Sequence, residues 1–320
     1  MGKVARDATL VRVANALESI AKTQADFSDY RDIQALVRAG LAKETFNIGD
    51  QLVVPYTATN GTTYDMPFDV VDFRNVTLEN GDVVPGMVLQ SHYATLEAVQ
   101  FDAPETTRPA SDDYSGQIAQ YGWGRWAKSG IRQWLNSAET ARNWWKSQND
   151  YDEAPTQHTT VNGFMHGLPA DFLAVLKPVK VETARDYRYP AGGASGTYVY
   201  DTTYDKFFLT SKEEEYTVVN EPNHREGLPF QYWIERLTPE ALEKGEALPQ
   251  QNYASADNTH ALTSHIRYAL ENHTSAQACR LRSAYRNSAY YTWYVNSEGT
   301  VSSYGYAYNA LRCAPACVIC

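Results

Sequence analysis

The chain has 320 residues, 43% hydrophobic and 21% charged, with a formal net charge of −10. Those values belong to a globular protein large enough to bury most of its surface without disulfide staples. They argue against the basic patch that an extended nucleic-acid footprint needs, though not against a local one, and no apolar run approaches the length of a membrane span, so neither a nucleic-acid partner nor membrane insertion is expected.

The opening residues, MGKVARDATLVRVANALESIAK, lack the unbroken apolar core of a signal peptide. The sequence thus predicts synthesis in a cytoplasm, with display outside only as part of a particle. Leu10, Val13, Ala14, Leu17, Ile20 and Ala21 recur at three- and four-residue steps, which predicts a helix over 4–24. So short a helix is marginal alone. It either packs against copies of itself or a larger assembly, giving a homo-oligomer or a particle attachment, or it caps its own domain. A second helix is predicted over 29–39, closed by Gly40 at the left-handed cap position. Residues 1–45 thus read as a helical assembly segment, and 46–320 as one domain without a linker.

From residue 46 the texture turns to strand. FNIGDQLVVPY, TTYDMPFDVVDFRNVTL and DVVPGMVLQSHYATLEAV carry strand-like alternation, with Asn80-Gly81 as a hairpin turn. The stretch 128–145 reads as a helix with Ile131, Trp134 and Leu135 on its core face and Ser129 as its cap. Residues 168–183 read as a short helix started by Pro169 and followed by a strand. The segment 189–197 reads as a loop and 206–210 as a strand. Glu213-Glu214-Glu215 reads as a solvated acidic turn in preference to one half of a glycosidase carboxylate pair. Between 216 and 278 the pattern weakens into a long excursion with a helix-like piece at 238–246 and an ambiguous stretch at 260–270.

The final forty residues differ from the rest. Residues 281–320 hold seven of the 23 tyrosines, interleaved with Ser, Asn and Gly, and their only charges are Arg282, Arg286, Glu298 and Arg312. That is the vocabulary of a paratope: stiff amphipathic rings beside adaptable hydrogen-bonding groups. The alternative, an aromatic ladder on a half-buried strand, fits poorly, because strict alternation fails over Tyr290-Tyr291 and Ser302-Ser303. Cys279, Cys313, Cys317 and Cys320 lack the paired spacing of a zinc site and read as reduced, buried cysteines around a terminal strand. Five tryptophans, Trp123, Trp126, Trp134, Trp144 and Trp145, read mainly as core, and no histidine pattern supports a metal site or cofactor. Asn220-Glu221-Pro222-Asn223 contains a Glu-Pro-Asn triplet used by calcium-dependent lectins, but its usual Trp-Asn-Asp partner is missing, so it reads as a turn.

Four segments, GWGRWAKSGIRQWLNS (122–137), DKFFLTSKEE (205–214), CRLRSA (279–284) and LRCAPACVI (311–319), resemble recurring segments of C-type-lectin-like proteins from phages and gut bacteria. The leader DYRDIQALVRAGLAKETFNIGDQLVVP is similar to the start of the same proteins, and the tail resembles the variable region of a target protein of a diversity-generating retroelement. The resemblance implies an α+β, C-type-lectin-like fold. That fold is a small twisted antiparallel sheet with two flanking helices and long loops, in which N- and C-terminal strands pair.

The resemblance also implies a function. Diversity-generating elements replace adenines in a template copy, so that an Asn codon becomes Tyr, Ser, Gly and others. It implies a variable region over about 280–312 with Tyr285, Arg286, Asn287, Ser288, Tyr290, Tyr291, Tyr294, Ser302, Ser303, Tyr304, Gly305, Tyr306, Tyr308, Asn309 and Leu311 as ligand-contacting, diversified positions. Such side chains must face solvent, where substitution costs little. The fixed residues must hold the backbone: Trp293 and Val295 inward, Gly299 in a turn, Arg282 and Arg312 tying loops, Pro315 and Val318 closing the sheet. The implied activity is adhesion, not catalysis: a receptor-binding protein of a phage tail or related particle, attached through residues 1–45, whose target is a host-surface protein or glycan. Two alternatives stay open. One is an enzyme like the formylglycine-generating enzymes of the same fold, with copper on Cys313 and Cys317. The other is a purely structural particle protein.

Overall fold

The computed structural model describes residues 29–105, 118–148, 152–185, 199–215, 217–219, 225–235, 250–252, 265–285 and 288–320. The predicted helix at 4–24, the loop at 189–197, the Asn220–Asn223 motif and the piece at 238–246 lie outside them.

In chain order the elements are α1 (Tyr30–Arg38), α2 (Ala42–Thr45), β1 (Gln51–Thr57), β2 (Thr63–Thr77), β3 (Val83–Ser91) and β4 (Val99–Gln100). Next come α3 (Ile118–Tyr121), α4 (Gly130–Leu135), α5 (Ala170–Val175), β5 (Val179–Ala184), β6 (Tyr200–Asp205), β7 (Phe207–Phe208) and α6 (Lys212–Glu215). They are followed by β8 (Thr217–Val219), α7 (Gln231–Glu235), β9 (Gln250–Asn252), β10 (Arg267–Tyr268), β11 (Ala276–Gln277) and β12 (Cys279–Ala284). The tail supplies β13 (Tyr291–Val295), β14 (Val301–Tyr306), β15 (Ala310–Leu311) and β16 (Ala316–Ile319).

The fold is α+β, with mostly antiparallel pairing and short helices. Its main sheet has the order β1-β2-β3-β16-β7. Hairpin turns at Gly61 (φ 84°) and Asn80-Gly81 (φ 90° at the glycine) set the register of β1, β2 and β3. The closing strand β16 pairs with β3 on one side and β7 on the other. Its partner is thus the third strand of the leading meander, not the first. Phe68, Val70, Met87, Leu89, Phe207, Cys317 and Ile319 lie in one apolar cluster with Trp126, Ile131, Trp134 and Phe172.

Helix α1 forms as the sequence predicts. Asp29 caps its first turn by accepting from the Arg31 backbone N–H at 2.9 Å, and Gly40 takes φ 74° beyond its end. It is not part of a separate segment, however. Ile33 and Val37 lie in the main cluster, and the Gln34 amide donates to the Cys320 carbonyl at 2.7 Å. The expected boundary at residue 45 therefore falls inside the domain.

Two further expectations shift. The helix predicted over 128–145 runs only over Gly130–Leu135. Ser129 caps it, and Ile131, Trp134 and Leu135 are buried, as expected. It stops because the Asn136 amide turns away to donate to the Phe207 carbonyl at 2.8 Å and accept from the Lys206 and Phe207 N–H groups. A positive φ at Arg142 (73°) lies in the chain beyond it. The strand at 206–210 shrinks to Phe207–Phe208, and 260–270 contributes the short strand β10.

A tyrosine face on a buried arginine

The tail builds a second sheet, β12-β13-β14, closed by a turn in which Gly299 takes φ 79° and Asn296 caps the Glu298 and Thr300 N–H groups. Its apolar interior is small: Leu281, Trp293, Val295 and Val301, with Tyr285 leaning against it. Trp293 and Val295 point inward as expected. The pairing of β13 with β14 shifts register between Thr292 and Tyr294, opposite Gly305 and Ser302, so that β14 carries one extra residue beside Ser302-Ser303. Tyr290 precedes β13.

Beneath the sheet lies Arg280, which is 1% exposed. Its guanidinium donates to Thr292 Oγ1 (2.6 Å) and to the carbonyls of Gly305 (3.0 Å), Tyr306 (3.0 Å) and Asn309 (2.8 Å). Burial pushes its pKa down to about 9. One side chain thus fastens the loop after β14 through main-chain atoms alone. The sequence reading chose Arg282 and Arg312 as loop ties and missed Arg280. All three serve. Arg282 donates to the carbonyls of Leu209 (2.7 Å) and Glu226 and pairs with Glu214. Arg312 makes a two-pronged pair with Glu271 at 2.7 Å per bond.

Above this frame the rings meet. Tyr290, Tyr291, Tyr306 and Tyr308 are half-buried and touch one another: Tyr290–Tyr291 centroids lie 4.5 Å apart, Tyr291–Tyr306 4.7 Å and Tyr306–Tyr308 5.6 Å. Burial, then hydrogen bonding to the Tyr306 and Tyr290 phenols, pushes the Tyr291 phenol up. Tyr285 joins at 6.2 Å from Tyr291. Tyr121, from α3, completes the group, 5.1 Å from Tyr290, 4.7 Å from Tyr306 and 6.0 Å from Tyr308. It was missed because it lies 164 positions ahead of Tyr285 in the chain. The signal available was the Gly-Trp-Gly that follows it.

Those glycines dock the loop to the tail. Gly122 takes φ 74°, and a Cβ there would lie 2.6 Å from the Asp102 carbonyl. The Gly124 N–H donates to the Ala289 carbonyl at 2.8 Å, and a Cβ there would meet the Tyr291 carbonyl at 2.8 Å. The Tyr308 N–H donates to the Tyr121 carbonyl at 2.9 Å.

Ser288, Tyr294, Asn309 and Leu311 are half-buried as well. Arg286 and Asn287 lie outside the described residues, and Ser303 and Tyr304 are described only as backbone of β14. Two of the expected positions do not face solvent. Ser302 is 9% exposed, next to the fully buried Val301 and paired across the sheet with Tyr294. Gly305 has no room for a side chain: a Cβ would sit 2.2 Å from Arg280 Nη1 and 3.0 Å from the Thr292 carbonyl. The buried guanidinium occupies the space that a variable residue there would need.

The acidic turn expected at 213–215 is a correction too. Glu213, Glu214 and Glu215 are all buried in α6. Glu214 accepts from the Ser211 N–H at 2.9 Å and pairs with Arg282. Glu215 accepts from the Gln90 amide at 3.0 Å and the Thr210 hydroxyl. Glu213 accepts from the Glu226 N–H at 3.2 Å. Lys212 lies 3.2 Å above the Trp293 ring. The run looked solvated because charges rarely go inside unless paired. Here each finds a fixed partner and joins the frame under the second sheet.

Trp123, Trp126, Trp134 and Trp144 are buried, and Trp145 packs on the core. All four cysteines are buried and unbridged. Burial pushes the Cys313 thiol up to about 12 and the Cys317 thiol well up. Among the described residues no three His, Cys, Asp or Glu side chains converge as a metal site, and no helix is long and apolar enough to cross a membrane.

A family model described as a domain of unknown function (DUF6273) matches residues 106–320. The chain belongs to that family. No curated protein and no solved structure matches it. The DUF6273 segment contains α3, the whole second sheet and β16, but not β1, β2 or β3. Since β16 pairs with β3, the DUF6273 segment shares its main sheet with strands that precede it.

Proposed function

We propose that this chain is a diversified receptor-binding protein: a C-type-lectin-like scaffold that holds a hypervariable tyrosine surface against a host-surface protein or glycan. It acts at a phage tail tip or on a related particle. The observation that carries this reading is the separation of duties in the second sheet. Half-buried tyrosines touch one another on one face, while their backbone is fastened from beneath by Arg280, Gly305 and Trp293, residues of a different kind. A face built this way tolerates exchange of its rings. Recognition is non-covalent: a few central rings dominate the energy, and several copies on one particle raise avidity without new contacts. With α1 inside the core, attachment to the particle falls to the residues before it.

Titration of labelled protein onto a panel of intact bacterial cells, followed by flow cytometry, tests the reading. The expected result is saturable adsorption that is lost when Tyr290, Tyr291, Tyr306 and Tyr308 are all changed to Ala, with the melting temperature moving by less than about 3 °C. A purely structural subunit adsorbs to none of the cells. A collapse in melting temperature assigns the rings to the core instead.

A further inference from the structure

Tyr121 lies outside the tail, yet touches three of its rings. We infer that Tyr121 is a constant anchor in this face and that the face takes a folded protein surface; the inference rests on the function proposed above. Four observations fix Tyr121 independently of which side chains the tail carries. Its carbonyl accepts from the Tyr308 main chain, so the contact survives any substitution at 308 other than Pro. The next residue, Gly122, takes a φ of 74° that other residues rarely adopt, pressed against the Asp102 main chain. Asp102 is fully buried and accepts from the Trp123 and Gly130 N–H groups at 3.1 Å each, tying the loop to the start of α4. Arg125, two residues on from Trp123, is clamped by Asp201. A ring carried on so constrained a backbone keeps its place while its neighbours change.

The chemistry points to protein. Small ligands are taken by concave sites with a few convergent polar groups. Here the rings are packed against one another with interplanar angles of 34° and 37° around Tyr121, forming a mutually supported patch. The described residues of that patch carry no charge. Five rings, each roughly a tenth to a third exposed, offer on the order of 250 Å² of phenolic surface. That suits the central anchor cluster of a protein interface, whose full side covers about 800 Å².

The test is a display library of the full chain, randomised at positions 290, 291, 306 and 308. It is built twice, with wild-type Tyr121 and with Tyr121→Ala, and sorted against purified lysozyme and against dextran. Lysozyme binders are expected at least ten times more often from the wild-type background, and Tyr121→Ala is expected to weaken isolated binders at least tenfold. Tyr121→Leu, which keeps packing volume without the phenol, serves if the Ala variant unfolds, and should weaken binders at least threefold. Equal yields and unchanged affinities from folded variants overturn the anchor. Binders to dextran but not to lysozyme overturn the protein assignment. No binders from either folded library sinks the proposed function itself.

Discussion

The two sheets of this molecule are held together by opposite means. The five-stranded sheet sits in a large apolar cluster, with Phe68, Leu89, Phe207, Cys317 and Ile319 packed on Trp126, Trp134 and Phe172. The three-stranded sheet of the tail has a cluster of four apolar residues and relies on buried arginines that bond to main-chain carbonyls. Apolar packing ties stability to the identity of every side chain that touches the cluster. Bonds to carbonyls do not, because every residue type supplies the same oxygen. The second arrangement leaves outer side chains free to serve another purpose.

The comparison breaks most visibly in the first sheet. Phe68→Ala removes a fully buried ring and should lower global stability by about 3–5 kcal/mol in urea unfolding. Arg280→Met should come next, costing about 2–4 kcal/mol because three carbonyls and a hydroxyl lose a charged donor. Hydrogen exchange should then rise first in β13 and β14 while β2 and β3 stay protected; uniform exchange across both sheets would show that the arginine is not a local tie. Gly305→Ala should cost about 1–3 kcal/mol, since the added methyl meets a pinned guanidinium.

A smaller effect concerns pH. Burial alone would raise the Asp201 carboxyl, but hydrogen bonds and charge from Arg125 and Arg185 outweigh it and hold the group below its ordinary value of 3.8. The folded state therefore binds this proton more weakly than the unfolded chain. The resulting stability is present above pH ~4 and fades as pH falls through the folded value. The acid limb of a stability–pH curve should accordingly be shallower in Asp201→Asn than in the wild type; identical limbs would remove Asp201 from the account. Smallest of all, Tyr308→Ser should change stability by no more than about 1 kcal/mol, although the ring is half-buried. A loss as large as that of Phe68→Ala would erase the distinction between the sheets.

Local chemistry made much of this legible in sequence. Gly40 closed α1, Asn80-Gly81 turned β2 into β3, and Ser129 started α4. The tail stood out by composition. What was illegible depended on distant partners. Asn136 ends a helix because the Phe207 carbonyl waits for its amide, 71 residues away. The Glu213–Glu215 run enters the interior because Arg282, Gln90 and the Glu226 main chain receive it. Arg280 and Arg282 look alike in CRLRSA, and only the return of the chain at 305–309 shows which one lies beneath the rings. Tyr121 is marked locally only by the Gly-Trp-Gly that follows it, and nothing in that signal points to the tail.

One feature of the main sheet bears on inheritance as well as folding. The strand Ala316–Ile319 lies between Val83–Ser91 and Phe207–Phe208, directly downstream of the tyrosine-bearing stretch in the gene. A frameshift or premature stop anywhere among codons 285–312 would delete an interior strand and with it the domain. Point changes leave that strand intact. Any process that rewrites those codons is therefore screened at the moment of folding, and only tails copied in frame fold.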